Sequence, residues 1–72
     1  MRMYMSVSGS GRVDNWRPIN CLNLAGAKRI CSRDMGRRAY HGEKICLGEE
    51  TLPGYVDTVW ERIFPDGKWT KV

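Results

Sequence analysis

Met3, Met5 and Val7 alternate with Arg2, Tyr4 and Ser6. A period of two predicts a first strand whose Met/Val face turns inward. Ser8-Gly9-Ser10-Gly11 breaks the alternation, and its two glycines suit a hairpin turn. A second strand is expected from about Val13 to Leu22, with Ile19 and Cys21 on one face and Asn20 on the other. Pro18 has no N–H to give a ladder, so this strand lies at a sheet edge or is irregular there.

The period then changes. Leu24, Ala27, Cys31 and Met35 fall at i, i+3, i+7 and i+11, one continuous apolar stripe of a helix, and Ile30 widens it. Asn23 is a good N-cap, because its side-chain oxygen can accept from an unpaired first-turn N–H. Gly26 weakens the helix by about 1 kcal/mol relative to alanine. Gly36 is expected to end it in the left-handed conformation. Arg37 and Arg38 follow, where cations favour the negative helix terminus.

After a loop at Ala39-Tyr40-His41-Gly42, alternation resumes from Glu43 to Gly48. Ile45 and Leu47 share one face, Lys44 and Cys46 the other. Glu49 to Gly54 reads as a connection, with Pro53-Gly54 as its turn signal. Tyr55 to Phe64 is the longest strand candidate. Its alternation puts Val56, Thr58, Trp60, Arg62 and Phe64 together, with Trp60 and Phe64 as core residues. Pro65-Asp66-Gly67 predicts a tight turn with proline at the first central position. Lys68 to Val72 closes the chain as a short strand. The expected fold is α+β: a small, mostly antiparallel sheet in the order β-β-α-β-β-β with one helix packed on one face.

Length limits this fold to a single small domain. Seventy-two residues support one core, with a stability on the order of 5 kcal/mol. An apolar fraction of 42% is too high for a disordered chain. No apolar run reaches the length that spans a membrane. The net charge is +4, which favours acidic partners. It is unevenly spread: residues 1–44 carry nine Lys/Arg against three Asp/Glu, a net +6, and residues 45–72 carry three against five, a net −2.

Five of the twelve cations fall between Asn23 and Arg38, and Asp34 is the lone acid there. Arg29, Arg33 and Arg37 recur every four residues, so they form one row along the helix. Projected around the axis, the row lies nearly opposite Leu24, Ala27 and Cys31 and faces solvent, with Lys28 on its flank and Arg38 near its end. The spacing is about 6 Å, which suits a row of phosphates. An ordinary solubilising face mixes signs more evenly.

Other chemistry finds less support. Cys21, Cys31, His41 and Cys46 supply four metal-ligand atoms, but spaced ten, ten and five residues apart they lack the tight knuckles of structural zinc sites. Cys31 also belongs to the apolar stripe, where cysteine acts as a small hydrophobe. Three cysteines and no secretory leader indicate reduced thiols. No motif flanks a Cys–His pair, and the Glu49-Glu50 carboxylates point apart on a strand. Gly9-Ser10-Gly11 lacks the Lys-Ser/Thr of a phosphate loop. No catalytic residue, metal or cofactor is assigned.

Three short segments resemble small phage-encoded anti-CRISPR proteins, most closely the type I-F family numbered ninth. Leu24-Ala25-Gly26-Ala27-Lys28-Arg29-Ile30-Cys31-Ser32 is similar to that family's N-L-x-x-A-K-R-x-A-S helix. Tyr40-His41-Gly42-Glu43-Lys44-Ile45-Cys46-Leu47 is similar to its F-H-G-T-V-L strand entry, and Pro65-Asp66-Gly67-Lys68-Trp69 to its D-G-K-W hairpin. Cys31 stands where the family has a small alanine, Arg37-Arg38 lengthen the connection before His41, and the first hairpin does not match closely. The resemblance implies a non-enzymatic inhibitor in the cytoplasm of the infected bacterial host. It would bind the backbone subunits of a crRNA-guided Cas complex and block hybridisation of target DNA to the guide. By position, Lys28 and Arg29 match the family's Lys-Arg pair. Arg33, Arg37 and Arg38 are additional cations, and Lys44 lies in the second segment. These six residues are the expected partner-binding set. The residues alone leave open a second function, a small phage regulator that binds DNA or RNA directly.

Overall fold

The computed structural model describes residues 2–9 and 15–72. The element order is β1 (Arg2–Val7), β2 (Arg17–Asn20), α1 (Leu24–Gly36), β3 (Lys44–Leu52), β4 (Tyr55–Ile63) and β5 (Thr70–Lys71). All strand pairs are antiparallel, in the order β2-β1-β3-β4-β5. β2 and β3 both run opposite to β1, so α1 carries the chain over β1 from the sheet edge to its centre. The expected α+β fold is the observed one. β2 is indeed an edge strand, as Pro18 requires, but it is shorter than predicted. Asn15 and Trp16 precede it outside any strand. The expected turn at Ser10-Gly11 and the strand start at Val13 lie outside the described residues.

Parity explains the main core. Met3 and Met5 of β1, Ile19 of β2, and Ile45 and Leu47 of β3 are all buried on one sheet face. Ala27, Cys31 and Met35 of α1 close over them, each at most 2% exposed. The Asn23 side chain caps the helix, accepting from the Gly26 N–H at 2.9 Å. Gly36 departs from its expected role. It is the last helical residue, and the chain continues right-handed through Arg37 (φ −76°). The Met35 carbonyl accepts from both Arg38 and Ala39 N–H groups, which tightens the helix end without a left-handed residue. Gly36 is small for another reason: a Cβ there would lie 3.2 Å from the Phe64 ring.

The opposite sheet face is also covered. Tyr4, Trp16, Cys46 and Val56 form a second buried cluster. Gly48 sits in it with no room for a side chain, since a Cβ would fall 2.5 Å from Val56 Cγ1 and 2.8 Å from the Asp57 carbonyl oxygen. The predicted common face of Val56 and Trp60 is therefore wrong. Leu47 pairs with Trp60 but Gly48 pairs with Thr58, so Val59 is an extra residue in β4. This bulge inverts the parity. Val56 turns into the second cluster, while Trp60 and Phe64 pack against the helix side, where they were expected as core.

β3 is longer than predicted. Glu49 to Leu52 is strand, not connection, and only Pro53-Gly54 turns, with Gly54 at φ +85°. Beyond Gly48 and Thr58, β3 and β4 pair only with each other among the described residues. They form a projecting two-stranded ribbon. Thr51 Oγ1 donates to Asp57 Oδ2 at 2.8 Å, and Glu50 accepts from Tyr4 Oη and the Gly54 N–H. The last turn is wider than expected. The Phe64–Pro65 bond is cis, and the Gly67 N–H donates to the Ile63 carbonyl at 2.8 Å. β5 is reduced to Thr70–Lys71.

Candidate partner-docking surface on the helix

The helix rests on the sheet by its apolar stripe, which fixes where its cations go. Arg29, Arg33 and Arg37 are all exposed along the outer crest, as projected. Arg33 Nε donates to Asp34 Oδ1 at 2.8 Å. That hydrogen bond and ion pair hold the Asp34 carboxyl below the ordinary carboxylate range, with Arg37 and Arg17 adding smaller contributions. Arg29 and Arg37 have no ion pair among the described residues.

The other three predicted residues behave differently. Lys28 lies one step around the helix from Met35 and leans toward β4, where its ammonium sits 3.8 Å from the centroid of the Trp60 ring. This cation–π contact orients the Lys28 head and ties it to the sheet. On the same flank, Arg62 Nη1 donates to Ser32 Oγ at 3.1 Å and Nη2 to the Pro65 carbonyl at 2.6 Å. Arg38 lines, together with Met35, a depression on the opposite flank. Lys44 is separated from the rest. It lies on the sheet face away from α1 and pairs with Glu61 at 3.5 Å. The structure therefore groups Arg29, Arg33 and Arg37 on the crest, sets Lys28 and Arg38 on its two flanks, and leaves Lys44 outside the group.

No protein-family model, curated protein or solved structure matches this chain.

One cation was missed. Arg17 opens β2 on the same face as Ile19, and Asp34 feels its charge. The parity of Arg17 with Ile19 was the available signal. It places the side chain on the helix side of the sheet, beside the cationic end of α1.

The four metal-ligand candidates occupy separate surroundings. Cys31 is in the main core, Cys46 in the second cluster, Cys21 half-buried before the helix, and His41 edge-on to Phe64 with ring centroids 5.9 Å apart. Cys31 Sγ donates to the Cys46 carbonyl at 3.6 Å. Burial pushes the Cys31 thiol up from 9.0 to about 12, with Cys46 adding to the rise and Arg62 opposing it. Burial also raises the Cys46 thiol, with Glu61 contributing. Below pH 9 each thiol is protonated in both the folded and unfolded chain. Above pH 9 the unfolded chain releases a proton that the folded chain keeps, so stability falls. For Cys31 the loss is about 1.4 kcal/mol per pH unit until its folded value is passed. Urea midpoints measured from pH 8 to 11 are expected to drop, and Cys31→Ala is expected to flatten the slope. An unchanged slope in that variant would mean that the thiol is not held protonated.

Proposed function

We propose that the protein is a non-enzymatic phage inhibitor of a type I CRISPR-Cas surveillance complex. It docks through the basic crest of α1 on the backbone subunits of the crRNA-guided complex, in the cytoplasm of the infected host, and blocks hybridisation of target DNA to the guide. The observation that carries this reading is the crest itself: Arg29 and Arg37 are exposed and form no ion pair among the described residues, on the side of the helix that the core does not use. A fixed row of exposed guanidinium groups on a rigid element suits the phosphates of the guide strand that such a complex displays. The Lys28-Arg29 pair of the anti-CRISPR-like helix motif lies at the N-terminal part of this row.

The same row supports a second reading, a phage regulator that binds nucleic acid directly. The two separate in one set of measurements. A purified type I surveillance complex is presented to the protein, and labelled target DNA is then added. The inhibitor is expected to bind the complex and exclude the DNA, with weak affinity for naked duplex. Salt-dependent binding to duplex alone, with no retention on the complex, would establish the regulator. Arg29→Glu with Arg33→Glu is expected to weaken complex binding by about 3 kcal/mol, roughly a hundredfold. Both residues are exposed, so the melting temperature is expected to move by no more than about 3 °C. A large loss of melting temperature would make these residues structural and remove the reading.

A further inference from the structure

At the C-terminal end of α1, beside the crest, the surface sinks into a depression of about 330 Å³. Its lining combines the apolar Met5 and Val7 of β1 and Met35 of α1 with the polar Ser6 and Asn15. Its rim is basic and aromatic, with Arg17 from β2, Arg38 from the helix end, and Tyr40 from the loop that follows. Arg17 and Arg38 are exposed, and Tyr40 is 79% exposed, an unusual position for an aromatic ring.

We infer that this depression seats one large apolar side chain of a partner polypeptide, and that Arg17 and Arg38 hold acidic residues on either side of it. The inference rests on the protein-docking reading above and specifies the partner's chemistry. Volume is the first argument. At about 330 Å³ the space is near the lower limit of ligand pockets, sufficient for one bulky side chain. Charge is the second. Neither Arg17 nor Arg38 has an ion pair among the described residues. Glu43 is the acid on the rim, but its Oε1 accepts from the Tyr40 N–H at 2.6 Å and is directed to its own loop. Two arginines against one carboxylate leave the rim with a net positive charge, which complements carboxylates. Surface chemistry is the third. A polynucleotide is held mainly through its phosphates, and the two methionines and the valine of the lining do nothing for them. An apolar anchor surrounded by Arg and Tyr is instead the arrangement that concentrates binding energy in protein interfaces.

The test uses the whole chain, isotope-labelled and followed by NMR. The probes are the blocked pentapeptide Glu-Asp-Trp-Glu-Asp, its Glu-Asp-Ala-Glu-Asp counterpart, and a five-nucleotide oligothymidylate. The tryptophan peptide is expected to shift the signals of Val7, Met35, Arg38 and Tyr40 and to bind about tenfold more tightly than the alanine peptide. Arg38→Ala and Tyr40→Ala, both at exposed positions, are each expected to weaken it about fivefold, whereas Arg29→Glu leaves it unchanged. Equal affinity for the two peptides overturns the inference, as do shifts confined to the crest. Displacement of the tryptophan peptide by the oligonucleotide from the same signals overturns it in favour of nucleic acid. The surveillance-complex experiment is independent of these titrations. A chain that ignores the complex but takes the tryptophan peptide loses its proposed target and keeps the docking site.

Discussion

Replacing Trp16 with alanine is expected to leave the chain largely unfolded at 37 °C. Trp16 belongs to no strand, yet it is only 5% exposed and anchors the second cluster with Tyr4, Cys46 and Val56. Its ring also closes over backbone: a Cβ on Gly48 would lie 3.1 Å from Cη2, and one on Gly9 3.5 Å from Cζ2. Removing a buried indole costs about 3–5 kcal/mol. A domain of this size has on the order of 5 kcal/mol in total. At about 4–8 °C per kcal/mol, the melting temperature should fall by at least about 12 °C. Thermal unfolding followed by circular dichroism measures it, with Trp69→Ala as the comparison, since Trp69 is only half-buried against the main core. A shift of less than about 5 °C would mean that the face away from the helix contributes little to holding the sheet.

The second large effect is expected from Cys31→Asp. Cys31 is 0% exposed, and the helix sets it against the Met3, Met5, Ile45 and Leu47 side chains. A carboxylate there would face the Cys46 carbonyl, a second acceptor, where the thiol now donates, and Arg62, the cation whose charge reaches the position, already donates to Ser32 Oγ and the Pro65 carbonyl. Burying that charge costs several kcal/mol, so the variant should be unfolded at pH 7. The sign of its pH dependence follows. The folded state admits only the neutral acid, so its carboxyl value is raised, and the missing stability returns as pH falls toward the unfolded carboxyl value. Partial refolding near pH 4, seen in the near-ultraviolet spectrum, is the expected signature. Cys31→Ala separates charge from volume and should cost only about 1–2 kcal/mol. A Cys31→Asp chain that melts near the parent temperature at pH 7 would show that the position is not enclosed.

Local rules made part of this molecule legible. The stripe from Leu24 to Met35, the Asn23 cap and the two-residue period of β1 and β3 each depend on neighbours within one element, and each is as the pattern indicates. Pro18 is at an edge because its missing N–H is a local property. What escaped depends on distant partners. Tyr4, Ser6 and Cys46 read as the outer face of their strands. Trp16 arrives from another part of the chain to bury Tyr4 and Cys46, and Ser6 donates to the neighbouring Asn15 carbonyl. The Val59 bulge lies beside Gly48, on whose bare backbone Val56 and Trp16 close in, and no alternation within β4 signals it. Glu49 to Leu52 looked like a loop because its pairing uses backbone groups and asks little of the side chains.

The docking surface divides in the same way. The crest of Arg29, Arg33 and Arg37 follows from helical projection alone. Lys44 was grouped with it by its place in a motif, whereas strand parity turns it to the other side of the sheet. Arg17 is recoverable from its parity with Ile19. The depression beside Arg38 is not, because β1, β2, the helix end and the following loop build it together.

The β3–β4 ribbon gives the molecule an electrical polarity. It carries Glu49, Glu50 and Asp57 beyond the end of β1's pairing at Gly48. At the other end of the sheet, near Val7 and Ile45, Arg17, Arg33, Arg37 and Arg38 outnumber Asp34 and Glu43. From Ile45 to Leu52 the strand covers about 23 Å at roughly 3.3 Å per residue. Opposite charges held that far apart make a permanent dipole, and a dipole turns in a field before it touches anything. In the field of a strongly negative assembly the protein arrives helix end first, with the ribbon tip at Leu52 and Tyr55 trailing in solvent. Its encounters are oriented over about one Debye length, roughly 8 Å at physiological salt, before a single contact forms.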